Sequence, residues 1–206
     1  MSTTFTPQPD QPAWDVARLY PTQGHWTELE YLTLTNSTNH RVEFTAGTIE
    51  VLPMPTEAHQ LIMVYLLYAL GGFVSDNRLG LVLPAGIRVR LAEGTFREPD
   101  IVFMLAQHAQ RRTNDYWNGA DLVMEIVSDD PASRRRDLED KRKVYAAAGI
   151  PEYWIVDPQL ERITVLKLEA EQYVEHGVFA PSNQATSALL PGFSVDVTAV
   201  FCSARQ

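Results

Sequence analysis

Three ionisable residues stand where the surrounding pattern is apolar, and their types point to one chemistry. Glu125 lies inside Leu122-Val123-Met124-Glu125-Ile126-Val127, and at two-residue spacing it shares a strand face with Val123 and Val127. A carboxylate there is costly unless a partner or a cation compensates it. Lys141 falls with Leu138, Tyr145 and Ala148 at i, i+3, i+7 and i+10 of a helical pattern. It therefore points inward, while Arg135, Arg136, Arg142 and Lys143 can face solvent. An inward lysine seeks an anion. Asp100 opens the strand Asp100-Ile101-Val102-Phe103-Met104 directly after Pro99. A strand-opening acid beside a mid-strand acid makes an oxygen-rich site suited to Mg²⁺ or Mn²⁺, which take carboxylates, waters and substrate phosphate. A structural Lys–Glu pair with a strand-initiating Asp would give the same pattern, so the residues alone leave both readings open. Ser128 has no His/Asp set at a spacing diagnostic of acyl transfer.

The elements that must position these residues follow from capping and periodicity. Residues 1–25 carry Pro7, Pro9, Pro12 and Pro21 and read as a loosely held arm. Thr27 with Glu30 forms a capping box, and Trp26 and Tyr31 fit the staple positions, so a short helix runs to about Asn36. Residues 41–52 alternate around Ala46-Gly47 as a hairpin. Leu61, Val64, Tyr65, Tyr68 and Ala69 recur at helical spacing within 57–76. Strands are expected over 81–91, 100–105 and 121–128, with a loop or short helix at 106–118. The last two strands are continuous apolar runs, as in strands covered on both faces. Asp130-Pro131 and Gly149 bracket a second helix over about 131–148, and Tyr153-Trp154-Ile155-Val156 is a further strand. Residues 162–168 and 172–179 read as a terminal hairpin. The core order is α-β-β-β-α-β, an α/β arrangement with a mixed central sheet flanked by helices and extra β-hairpins at both ends. Residues 26–206 are expected to form a single domain.

Composition narrows the function classes. The chain has 206 residues with 17 Lys+Arg against 26 Asp+Glu, a net charge of −9. That argues against coating nucleic acid by bulk charge; phosphate binding would need a local basic patch or bridging cations. Arg134-Arg135-Arg136 and the pair Arg88/Arg90 are candidate phosphate contacts, against the plainer reading of a solvated charged face. The single Cys202 cannot form an internal disulfide and reads as a small buried hydrophobe. No stretch approaches the roughly 18 apolar residues of a membrane span. Residues 1–12 show no secretory pattern, so a soluble cytoplasmic protein without a membrane partner is expected.

Several short motifs together resemble the Uma-type family of restriction endonucleases, a branch of the PD-(D/E)xK nuclease superfamily. They are Glu98-Pro99-Asp100; Glu125-Ile126-Val127-Ser128; Arg136-Asp137 with Lys141 and Tyr145; and Gly149-Ile150-Pro151-Glu152-Tyr153-Trp154-Ile155-Val156-Asp157. The hairpin around Glu43 and Gly47, His59 at a helix start, and Leu190-Pro191-Gly192-Phe193 also fit, so the resemblance covers about residues 27–200. It implies a restriction-endonuclease-like fold in which Asp100 and Glu125 hold Mg²⁺ or Mn²⁺ and the metal activates a water against a phosphodiester. The superfamily's usual lysine would fall at position 127, which is Val127; Lys141 matches instead, from the following helix. The resemblance further implies Glu43 as an additional acid and His59 as a substrate-side donor, with DNA as partner and a homodimer to cut two strands. Asp137, four residues before Lys141, is placed to hold the lysine. Tyr145, Tyr153 and Trp154 read as core packing. The rival reading is a catalytically silent nuclease fold serving as a binding or assembly module. A hydrolase acting on another substrate at a similar metal site is a third.

Overall fold

The computed structural model describes residues 19–129 and 134–205. The arm up to residue 18 and the expected Asp130-Pro131 helix start lie outside the described residues. Residues 23–26 are tied to the first hairpin: the Gly24 and Trp26 N–H groups donate to the Gly47 carbonyl at 2.8 and 3.0 Å. The Gln23 side chain bonds both backbone groups of Ile49. Gly47 has φ +80, and a Cβ there would lie 2.6 Å from the Gly24 oxygen, so only glycine lets these two segments meet.

The described elements run α1 (Glu28–Asn36), β1 (Val42–Thr45), β2 (Thr48–Val51), α2 (Glu57–Asp76), β3 (Gly80–Pro84), β4 (Val89–Ala92), β5 (Thr95–Arg97) and β6 (Ile101–Leu105). A 3₁₀ segment, Ala106–Arg111, leads to β7 (Trp117–Asn118) and β8 (Leu122–Ile126). After a π-helical turn at Arg136–Asp140 come α3 (Lys141–Ala147), β9 (Glu152–Asp157), β10 (Arg162–Glu169) and β11 (Gln172–Phe179). The hairpin strands β12 (Gln184–Thr186) and β13 (Ser194–Asp196) precede α4 (Val197–Cys202). The Thr27/Glu30 capping box is formed in both directions.

The central sheet has the order β11-β10-β9-β8-β6-β3. Only β8 and β9 pair in parallel; the other neighbours are antiparallel. Their crossover is the π turn with α3, so α2, β3, β6, β8, α3 and β9 supply the expected α-β-β-β-α-β order. One face of the sheet packs Ile101, Phe103 and Met124 against α2, β13 and α4. The other packs Val102, Val123 and Val127 against Tyr145 of α3.

Four expectations need correction. The run 81–91 is not one strand. It breaks at Ala85-Gly86 into β3, on the edge of the central sheet, and β4, which joins a second sheet of order β2-β1-β5-β4-β7. Glycine at φ +105 makes that break. The buried stripe of α2 is Ile62, Leu66, Leu70 and Val74, while Tyr68 is exposed. Both stripes satisfy helical spacing, and the purely aliphatic one faces the sheet because it buries no hydroxyl. At 20 residues α2 also meets the length and composition of a membrane span, contrary to the count made on the sequence, although its aliphatic stripe is committed to the core. Cys202, expected inside, is exposed at the end of α4.

Candidate active site

The three residues that broke the apolar pattern meet at one cavity of about 270 Å³ lined by Asp100, Glu125, Lys141, His59, Arg41 and Asp137, among others. Sheet register brings the acids together. Ile101 pairs with Met124 across the β6–β8 ladder, so one step outward Asp100 stands opposite Glu125. The Ile126 N–H locks the arrangement by donating to Asp100 Oδ2 at 2.9 Å.

Lys141 enters from the helical side and is only 3% exposed. Its ammonium lies 2.8 Å from Glu125, 3.1 Å from Asp137 and 3.8 Å from Glu43. Burial works to lower the lysine's pKa, but these acids and Asp100 raise it further, so the ammonium stays charged. Asp137 does hold the lysine at i, i+4. The second Glu125 oxygen accepts a 2.6 Å hydrogen bond from the Tyr145 hydroxyl. Burial raises Glu125 to about 7; Lys141 opposes that shift, while Asp100, Asp137 and Glu43 add to it. Asp100 behaves oppositely. Burial again works to raise it, but the His59 hydrogen bond and the His59, Arg41 and Lys141 charges pull it below its ordinary value.

Glu43 is buried, not a surface hairpin residue: it accepts from the Glu98 N–H at 3.3 Å and lies 3.5 Å from Arg97. Strand β1 thus carries the second sheet's contribution into the cluster. His59 sits in the first turn of α2, where Thr56 caps its backbone N–H. Its Nε2 lies 3.1 Å from Asp100, and its Nδ1 is buried without a hydrogen bond.

Arg41, the contact made by the Tyr145 hydroxyl and the π turn had no clear signal in the sequence. Arg41 bonds Asp100 at 3.2 Å and also the Glu98 carbonyl. The Tyr145 hydroxyl grips Glu125, although Tyr145, Tyr153 and Trp154 are fully buried as expected. Arg136, free to face solvent by its spacing and a candidate phosphate contact in the basic run, lines the cavity and pairs with Glu50 and Asp137. The π turn explains this. Lys141 N–H bonds the carbonyl of Arg136, five residues back, so residues five apart come round to one side. A regular helix would already set Asp137 beside Lys141; the wider turn is what brings Arg136 to the same side. Of the remaining basic candidates Arg135 is exposed beside Glu139, and the other three are committed elsewhere. Arg88 bonds Thr35 and Asn36, Arg90 pairs with Glu28, and Arg134 grips Asp157 with both prongs at 2.6 and 3.1 Å.

Among the described residues no three His, Cys, Asp or Glu side chains form a ligand cage. Two carboxylates opening to a cavity are nevertheless the kind of donor set that Mg²⁺ takes with waters and substrate oxygens. Five buried acids (Glu43, Glu98, Asp100, Glu125 and Asp137) face four bases (Arg41, Arg97, Arg136 and Lys141). Glu43 Oε2 and Asp137 Oδ1 make no hydrogen bond and rest on ion pairs with Arg97 and Lys141. His59 aside, the acids outnumber the bases by one, so the cluster fits a cation.

This architecture is restriction-endonuclease-like. The model of the family described as "Uma2: Putative restriction endonuclease" matches residues 27–198, and the chain belongs to that family. It is also similar to a crystal structure from Anabaena variabilis described as "a putative nuclease belonging to DUF820", with TM-score 0.67 and 17% identity over 84% of this chain and 98% of that one. No curated protein matches.

Proposed function

We propose that this chain is a metal-dependent endonuclease that hydrolyses phosphodiester bonds in DNA. The observation that carries the reading is Lys141: a buried ammonium held between Glu125 and Asp137, on the same cavity as Asp100. Family membership supports it. Asp100 and Glu125 would hold Mg²⁺ or Mn²⁺, which when bound acts as a Lewis acid and lowers the pKa of an attacking water. Lys141 opposes the burial that raises Glu125 and presents positive charge toward a phosphate entering the cavity. Arg41 and His59 orient Asp100, and the His59 Nε2–H would serve as a donor to a substrate phosphate oxygen. Glu43 and Asp137 restrain the lysine. Cutting both strands of a duplex calls for two such sites, which a homodimer supplies, and the cytoplasm is where such a substrate is met.

Purified protein with Mg²⁺ or Mn²⁺ should nick plasmid DNA, and Asp100→Asn and Lys141→Ala should each slow cleavage at least about 100-fold, the scale of losing one electrostatic contact to the reacting group. Absence of cleavage of both DNA and RNA overturns the proposal. One observation favours a second reading, a silent binding module: each of the two acids already has a basic partner of its own, Arg41 and His59 for Asp100 and Lys141 for Glu125. Calorimetry showing no Mn²⁺ binding at these acids would select that module.

A further inference from the structure

Between β2 and α2 the chain reads Leu52-Pro53-Met54-Pro55-Thr56, and this loop forms one wall of the cavity. It is anchored at both ends. Leu52 is buried, and its N–H bonds the Arg41 carbonyl at 2.9 Å; the Thr56 hydroxyl caps α2 through His59 N–H. Prolines on both sides of Met54 fix φ and strip two backbone donors from the segment. What remains is a stiff ledge whose tip, Met54, is 87% exposed. Val51 beside it is 59% exposed. Unlike exposed apolar residues elsewhere, Met54 lines the cavity, where Pro53, Met54 and Pro55 give a charged mouth one apolar wall.

We infer that Met54 is a substrate-contacting residue that packs against the base or sugar flanking the scissile phosphate, without regard to sequence. This rests on the nuclease reading and deepens it by assigning the apolar part of the substrate to the apolar ledge. The chemistry suits a nucleic acid. A phosphate drawn toward Lys141 and the acids brings its attached sugar and base to the cavity rim, where their faces need desolvation. Proteins insert methionine and similar side chains against base steps for this purpose, and the flexible, polarisable thioether accepts any base. Rigid anchoring makes the contact cheap in entropy, because the loop is ordered before substrate arrives.

The test compares an oligonucleotide with methyl p-nitrophenyl phosphate, a phosphodiester lacking base and sugar, for wild type, Met54→Ala and Met54→Leu. Met54→Ala should lower the preference for the oligonucleotide over the small ester about tenfold, mostly through KM, and Met54→Leu should restore most of it; tenfold corresponds to about 1.4 kcal/mol. If wild type cuts both substrates and the preference is unchanged in Met54→Ala, the ledge assignment is wrong and the nuclease reading stands. If wild type cuts neither, the nuclease reading fails and the ledge assignment falls with it.

Discussion

Two glutamates on neighbouring strands of the same sheet are both buried, yet their surroundings differ in every chemical respect. Glu152 on β9 is fully enclosed and accepts from four neutral donors: the Trp154 indole, the Ser187 hydroxyl, and the Ala188 and Leu189 N–H groups, at 2.6 to 2.7 Å. It is not among the residues that line the cavity. Glu125 on β8 has one ammonium and one phenol, and it opens onto the cavity. Neutral donors arranged around a carboxylate satisfy it completely and pin the segment before β13 to the sheet. A shared ammonium among several acids leaves the charge poised, with surplus that a cation could take up. Burial of an acid therefore does not by itself mark chemistry; the kind of partner and the access to solvent do.

That contrast can be broken experimentally. Removing the ammonium should have the largest effect: Lys141→Ala leaves Glu125, Asp137 and Glu43 crowded without their common cation and should cost about 3–5 kcal/mol by urea unfolding at pH 8. Glu125, already raised by burial, then lies further above its unfolded value without Lys141 to oppose that shift, so the folded state binds more protons and the variant should regain stability as pH falls toward 6. A Lys141→Ala loss that is the same at both pH values would mean the acids do not depend on the lysine.

Next in size is the exchange of each glutamate for glutamine. Glu152→Gln turns an amide donor toward four donors and should cost about 2–3 kcal/mol, leaving Mn²⁺ binding intact. Glu125→Gln should cost under about 1 kcal/mol, because at pH 7 the side chain already spends much of its time protonated, yet it should abolish calorimetric Mn²⁺ binding. Reversal of either pair of outcomes would erase the distinction drawn between the two sites.

The smallest effect is the proton itself. With Glu125 raised to about 7, a cation must displace a proton below that pH, so Mn²⁺ affinity should fall by up to about tenfold per unit from pH 7 to pH 6. An affinity flat across that interval would show that Glu125 is not a ligand.

Much of this was legible because apolar runs make intruders conspicuous. Asp100, Glu125 and Lys141 were visible against their neighbours, and the α-β-β-β-α-β order followed from caps and periodicities. Other features depend on tertiary geometry that periodicity does not encode. The stripe on α2 was displaced by one residue because two faces of an apolar helix satisfy the same spacing. The 81–91 segment hid a change of sheet behind one continuous β-like pattern. Arg41 and Arg136 resemble ordinary surface cations until β1 and the π turn carry them inward. Tyr145 was placed in the core correctly, but its hydroxyl partner lies on another element.

The five residues from Arg136 to Asp140 occupy a turn one residue wider than an ordinary helix would use. Such a widened coil is a phase shifter: it lets the segment leaving Arg134, clamped to Asp157, and the segment entering α3 keep separate rotational settings. Rewinding the same residues at regular pitch would turn everything upstream relative to Lys141 by about the rotation of one residue, roughly 100°, carrying Arg136 away from the cavity. Spacing along this stretch is thus as much a part of the site as the identity of its charges.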